Sequence, residues 1–266
     1  MKRVAFLISI VAILSLGMAA PVLAAVPDND AYDGRTVIDS IPFTQSIDTT
    51  EATTDADDAE ANDPILCGAP ATDASVWYEF VAPADGFFLV DVSASDFPAG
   101  VIVASGSPGG LTFVTCGPGA VIFAGVSGVA YAILAFDFFT ATGGMLNITV
   151  DEVPPPPVVE LTVDPAGSFN ARTGAATIRG TVTCTGGDEF AKLSVQVSQT
   201  VGRFKFFGEG GTNVTCDGTI QPWSAEAISQ AGKFGGGKAS VLAHLFTCNI
   251  AGCTEGAAER VVTLKK

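Results

Sequence analysis

"SVWYEFVAPADGFFLVDV", residues 75–92, carries two interleaved series of side chains twice over. Val76, Tyr78 and Phe80 alternate with Ser75, Trp77 and Glu79; beyond the turn residues Pro83, Asp85 and Gly86, Phe88, Val90 and Val92 alternate with Phe87, Leu89 and Asp91. A repeat of two marks a strand with one buried face, whereas a helix would space its apolar residues by three and four. The stretch therefore reads as two strands about a Pro/Gly turn. Outward from it the pattern persists. The apolar runs 120–126 and 129–136 flank Ser127-Gly128 and read as a hairpin of strands buried on both faces or nearly so, and 145–150 supplies a closing strand. No sustained helical period occurs beyond residue 24, so the expected fold class is all-β.

Pro154-Pro155-Pro156-Pro157 interrupts this pattern. Four prolines fit neither a helix nor an inner strand, and they favour an extended, semi-rigid connector. The expected organisation is a signal peptide over 1–24, an acidic first β-sandwich over 25–153, a proline linker over 154–158 and a second β-sandwich over 159–266. In the second half Ala176, Ile178, Gly180, Val182 and Cys184 recur at every other position, as do Leu193, Val195 and Val197, and again Ala239, Val241, Ala243 and Leu245. Short strands, Gly-rich turns and cysteines set in strands suit an immunoglobulin-like sandwich, with Trp223 as a core or rim aromatic.

Lys2 and Arg3, an apolar run, and the small-residue spacing of Val22 and Ala24 form a secretory signal. All six cysteines follow it, so they are expected in a compartment where disulfides persist. Six cysteines admit about fifteen pairings. Cys67 and Cys116 are the only pair in the first half, and the expected set is Cys67–Cys116, Cys184–Cys216 and Cys248–Cys253. Zinc is the competing use, but no Cys-x-x-Cys knuckle occurs and His244 is the sole histidine. Charge divides by half: 26–153 holds nineteen Asp and Glu against one base, Arg35, while 158–266 holds nine acids against ten bases. The acidic half repels nucleic acid and anionic membrane surfaces. No nucleic-acid partner is expected and, with no second apolar span, no membrane insertion after signal cleavage.

"AGKFGGGKAS", residues 231–240, approaches a phosphate-binding loop, with Gly232, four further residues, then Gly237-Lys238. The magnesium-ligating hydroxyl would stand at Ala239, and the alternation that follows has period two. The expectation is a glycine-rich turn into a strand beginning at Ala239, with no nucleotide. His244 lies opposite the apolar stripe without an acidic neighbour in sequence, so no catalytic triad is expected around it. In "TTDADDAEAND", residues 53–63, Asp55, Asp57, Asp58 and Glu60 have the oxygen chemistry that calcium takes, although not the Asp-x-Asp-x-Asp-Gly order. A solvated acidic loop is the alternative, and no cofactor other than that calcium is expected. In "VGRFKFFGEGG", residues 201–211, Phe204 and Phe206 share one face and Arg203, Lys205 and Phe207 the other. The second face is a candidate ligand surface; the plainer alternative places two of the three phenylalanines in the core.

"IPFTQSIDTTEATTD" from residue 41, then a cysteine, then "SVWYEFVAPADGFFLVDVSASDF" from residue 75, resemble the bacterial pre-peptidase C-terminal domain over about residues 28–152. The resemblance implies a jelly-roll-like sandwich appended to secreted enzymes. Its family consists mostly of accessory modules rather than catalysts, some of which bind calcium or matrix polymers. In the second half, Asp164-Pro165-x-Gly167, Gly180-Thr181-x-x-Cys184, Cys216-Asp217-Gly218 and Trp223 resemble a small secreted bacterial domain family of unknown function. The combined expectation is a secreted, extracellular, non-catalytic binding or structural accessory protein with a protein or polysaccharide partner. A calcium-dependent adhesion or polymer-binding module stands second, and a secreted hydrolase third.

Overall fold

The computed structural model describes residues 25–139 and 142–266, with backbone alone over 188–190. The signal peptide expected over 1–24 lies outside the described residues. The first nine strands are β1 (Thr36–Ile38), β2 (Phe43–Asp48), β3 (Asp73–Val81), β4 (Gly86–Asp91), β5 (Ala99–Ser105), β6 (Thr112–Pro118), β7 (Ala120–Gly125), β8 (Ala130–Asp137) and β9 (Met145–Val153). They form two sheets, ordered β1-β3-β8-β5-β6 and β2-β9-β4-β7. The alternation over 75–92 places Val76, Tyr78 and Phe80 on one side of the shared core and Phe88, Val90 and Val92 on the other. Phe80 and Phe88 meet edge to face across it, ring centroids 4.9 Å apart.

Two expectations are corrected here. The runs 120–126 and 129–136 do not pair with each other: β7 pairs with β4, whereas β8 lies between β3 and β5. Gly128, at φ 76°, turns the chain from one sheet to the other. Trp77, on the face of β3 expected to be less buried, is fully enclosed. The five-stranded sheet carries a second apolar layer on its outer face, where Trp77, Ile102, Leu134 and Phe136 pack under Tyr32, Ala61 of the short helix α1 (Ala56–Ala61) and the Cys67–Cys116 disulfide. A strand covered on both faces needs apolar side chains at every position, hence the unbroken run in β8.

The second half comprises β10 (Val158–Leu161), β11 (Ala166–Phe169), β12 (Ala176–Val201), β13 (Phe204–Ala227), β14 (Gly237–Asn249) and β15 (Gly252–Lys265). β12 and β13 form one long hairpin, paired from Ala176 with Ala227 to Val201 with Phe204, and irregular between Thr183 and Phe190. At that irregularity the strand changes neighbours: its first part takes β10 and β11, and its second part takes β14. β11 pairs with β15 and β15 with β14, so the hydrogen-bonded ring closes back on β12. Ile178, Val182, Trp223 and Ala225 thereby share a core with Leu193, Val195, Val197, Val241, Ala243 and Leu245. The two layers come from one folded sheet rather than two separate ones.

Trp223 is a core residue whose indole N–H donates to the carbonyls of Thr162 (3.1 Å) and Thr181 (3.2 Å). Cys184 and Cys216 are bonded where the hairpin folds, and Cys248 and Cys253 join the far end of the β14/β15 hairpin. At the same end the Asn249 side-chain amide donates to Pro155 O and the Thr254 hydroxyl to Pro157 O, both at 2.6 Å. The last prolines are thus pinned to the second half.

Candidate functional site

The acidic quartet proposed to share a calcium ion is taken apart by the fold. Asp55 caps α1, accepting from the N–H groups of Asp57 (2.8 Å) and Asp58 (3.3 Å), while Asp58 returns the bond to Asp55 N–H at 2.8 Å. This reciprocal capping satisfies helix-end donors that would otherwise be orphaned. Asp58 is buried and also accepts from the Ser75 hydroxyl at 2.8 Å. Glu60 points elsewhere, accepting from Gly109 N–H (2.7 Å) and Leu111 N–H (2.9 Å) in the turn between β5 and β6. Asp55 and Glu60 stay exposed while they accept these bonds, Asp57 is half-buried, and the four carboxylates are directed to different partners. Among the described residues no group of three or more His, Cys, Asp or Glu is placed to hold a metal ion.

Burial pushes the Asp58 carboxyl up to about 6, against the opposing pull of the Asp55 N–H and the Ser75 hydroxyl. An acid whose folded pKa is raised binds its proton more tightly folded than unfolded. Its contribution to stability is therefore greatest below about pH 4 and is lost as the pH rises to about 6, a swing on the order of 2–3 kcal/mol. Asp58→Asn is expected to remove that decline. In paired urea titrations the variant should gain about 2–3 kcal/mol on the native protein between pH 4 and pH 7, and a constant difference would refute this role.

The glycine stretch 231–240 leads into β14, which begins at Gly237, and no helix follows Lys238. Gly235 is held by both ends of the Gln199 amide, donating N–H to Oε1 at 2.9 Å and accepting from Nε2 at 2.8 Å. His244 acquires an acidic partner that its sequence neighbourhood did not show, because β14/β15 pairing brings Glu255 Oε1 to its Nε2. The adjacent Ser194 hydroxyl donates to the His244 backbone carbonyl at 3.4 Å instead of the imidazole.

The densest set of exposed recognition groups lies on the outer face formed by β13, β12, β14 and β15. Val195, Val197, Val241 and Ala243 point into the core, so the intervening Gln196, Ser198, Ser240 and Leu242 must point out. Register aligns them into cross-strand rows, Phe207-Ser198-Ser240-Val261 and then Glu209-Gln196-Leu242-Glu259. Three adjoining hollows run down this face. One holds Lys205, Thr200 and Lys238, the next Phe207, Gln196 and Leu242, and the last Lys192, Ser194 and Asn213. The first two share Ser198 and Ser240, and the second and third share Gln196 and Glu209, so they make one open groove. Nine residues of β12, from Lys192 to Thr200, span about 27 Å at the rise of an extended strand.

Of the expected ligand surface, Lys205 and Phe207 line this groove, and the Lys205 ammonium sits 5.0 Å from the Phe207 ring centroid. Arg203 does not line it; it occupies the two-residue turn beside Gly202, which takes φ 63°. The alternative of two core phenylalanines is corrected, since only Phe206 packs against the core while Phe204 and Phe207 are 70% and 63% exposed. Phe204 stands at the sheet's end, stacked on Phe206 with centroids 6.4 Å apart. The groove residues absent from the expectation are Gln196, Leu242, Glu209, Glu259 and Lys238. Gln196 and Leu242 are outward members of alternations already visible, but which strands would lie side by side was not.

Among solved structures the chain is similar to a GH2 beta-galacturonidase from Eisenbergiella tayi, at 12% identity and TM-score 0.26, over 72% of this chain and 35% of that one. It is also similar to a beta-glucuronidase from Parabacteroides merdae, at 13% identity and TM-score 0.25, over 78% and 30%. The chain spans about a third of the length of these neighbours. No curated protein matches it. No match to the pre-peptidase C-terminal family accompanies the first half. The second half, which carries the groove, matches over residues 157–257 the family described as "Family of unknown function (DUF6299)".

Proposed function

We propose that this is a secreted, non-catalytic accessory protein whose second half binds an extended extracellular polysaccharide. The observation that carries this reading is the continuous groove along β12, in which an exposed aromatic ring, Phe207, lies among hydroxyl and amide side chains. A sugar ring offers an apolar face and a polar rim, and a mixed aromatic and hydrogen-bonding surface is complementary to both. An open trough admits a chain in mid-length, whereas an enclosed pocket would select a free end. Three disulfides, which persist in oxidising compartments, support secretion. The first half, with its residue-level likeness to an accessory sandwich, serves in this reading as a second module.

The non-catalytic reading is supported by the sparse carboxylates of the groove. Glu209 and Glu259 are its two carboxylates, and they stand on β13 and β15 with three strand intervals between them, about 14 Å at the backbone. Both side chains are exposed. In affinity electrophoresis against a panel of soluble polysaccharides, the native chain should be retarded by at least one. Phe207→Ala should weaken that retardation about tenfold, the loss of about 1.4 kcal/mol, without shifting the melting temperature. Retardation by none, or retardation untouched by Phe207→Ala, would overturn the proposal.

A further inference from the structure

One end of the groove differs chemically from the rest. Its hollow, ≈ 430 Å³, is lined by Lys205, Lys238, Thr200, Ser198 and Ser240, all donors of hydrogen bonds, with Thr200 directly opposite Lys205 across the strands. The turns around it carry further cations. Segments 168–175, 199–206, 229–240 and 261–266 hold Arg172, Arg203, Lys233 and the Lys265-Lys266 pair besides those two lysines, and contain no Asp or Glu. These turns are braced against one another: Lys233 Nζ donates to Arg172 O at 2.6 Å, Phe234 N–H to Gly174 O at 3.0 Å, and Gly235 is gripped by Gln199. Seven of the ten bases of the second half therefore gather at one pole, in a chain whose net charge is −15.

Resting on the polysaccharide reading above, we infer that the groove takes an acidic polysaccharide and that Lys205 and Lys238 hold a carboxylate or sulfate group borne by its sugars. Two ammonium groups and three hydroxyls form a donor set suited to an anionic oxygen cluster, with charge-assisted bonds roughly twice as strong as neutral ones. The charge does not continue along the groove. Its middle is Phe207, Gln196 and Leu242 flanked by Glu209 and Glu259, and a cation returns only at Lys192, about 27 Å away along β12. A polyanion with a charge at every short step, such as nucleic acid, meets those two carboxylates and the acidic first half. A polysaccharide with spaced acid groups meets cations at the ends and offers neutral hydroxyls to the glutamates between them.

Binding of the full chain is to be measured by calorimetry against dextran, carboxymethyl-dextran, dextran sulfate, hyaluronan, single-stranded DNA and phosphatidylserine vesicles. At least one carboxylated or sulfated polymer should bind tenfold or more tightly than dextran, and more tightly than DNA or vesicles. Lys205→Ala/Lys238→Ala should cancel that preference with the melting temperature unchanged, and Phe207→Ala should weaken neutral and acidic polymers alike. If neutral polysaccharides bind equally well and the double variant changes nothing, the inference fails while the groove reading stands. Binding to no polysaccharide overturns both, and preference for DNA or vesicles overturns the assigned ligand class.

Discussion

Trp77→Ala is expected to destabilise the first half by about 3–5 kcal/mol, the range for removing a large aromatic from a core. Trp77 is fully buried on the outer face of the five-stranded sheet, with the Tyr32 ring edge-on at 5.3 Å and Ile102 and Leu134 in the same layer. The cavity would open at the centre of that layer, between β3 and a cover anchored by α1, so little can collapse into it. The expected readout is amide exchange across β3 and β8 accelerated by roughly 10²–10⁴-fold, at about 1.4 kcal/mol per factor of ten. Trp77→Phe should cost less than half as much, because it keeps a ring in that layer and leaves a smaller cavity. Exchange unchanged in the alanine variant would show that this outer layer does not stabilise the sheet.

Converting Cys67 and Cys116 together to serine is expected to cost about 4 kcal/mol, the chain-entropy value for a loop of this size. The bridge spans 49 residues and ties the segment after α1 to β6 at the sheet's edge. That segment supplies part of the cover over Trp77, so the two perturbations act on one layer and should not add. A denaturation midpoint in the oxidised protein equal to that of the double serine variant would contradict the estimate. Cys248–Cys253 closes a separation of only 5 residues already joined by a hairpin, and its loss should cost much less.

Strand positions were legible because side-chain period is a local property. The alternations at 87–92, 191–199 and 239–245 appear as alternating burial in β4, β12 and β14, whereas β3 is buried on both faces, and the strand expected at Ala239 is present. Pairing was less legible because it is decided elsewhere in the chain. An apolar run such as β8 looks the same whether its neighbour is the next strand or, as here, β3 and β5. For the acidic quartet, composition shows which oxygen ligands are available but not the hydrogen bonds in which helix capping and a distant turn engage them. In the candidate groove, Lys205 and Phe207 could be read from one segment, whereas Gln196, Leu242 and Lys238 joined them only through the register of β12 with β13 and β14.

The pinned linker has a mechanical consequence. The prolines enter beside the Cys248–Cys253 end, and β10 then runs along β12, its four register pairs extended by Thr162 N–H to Thr181 O at 2.9 Å and Asp164 N–H to Arg179 O at 2.8 Å. A tether pulled at residue 157 while the opposite pole is held loads these bonds parallel to the strand axis, so they share the force and must yield together instead of peeling one at a time. The closed ring behind β12 spreads the same load into β11, β15 and β14. A protein of this construction can hold under tension.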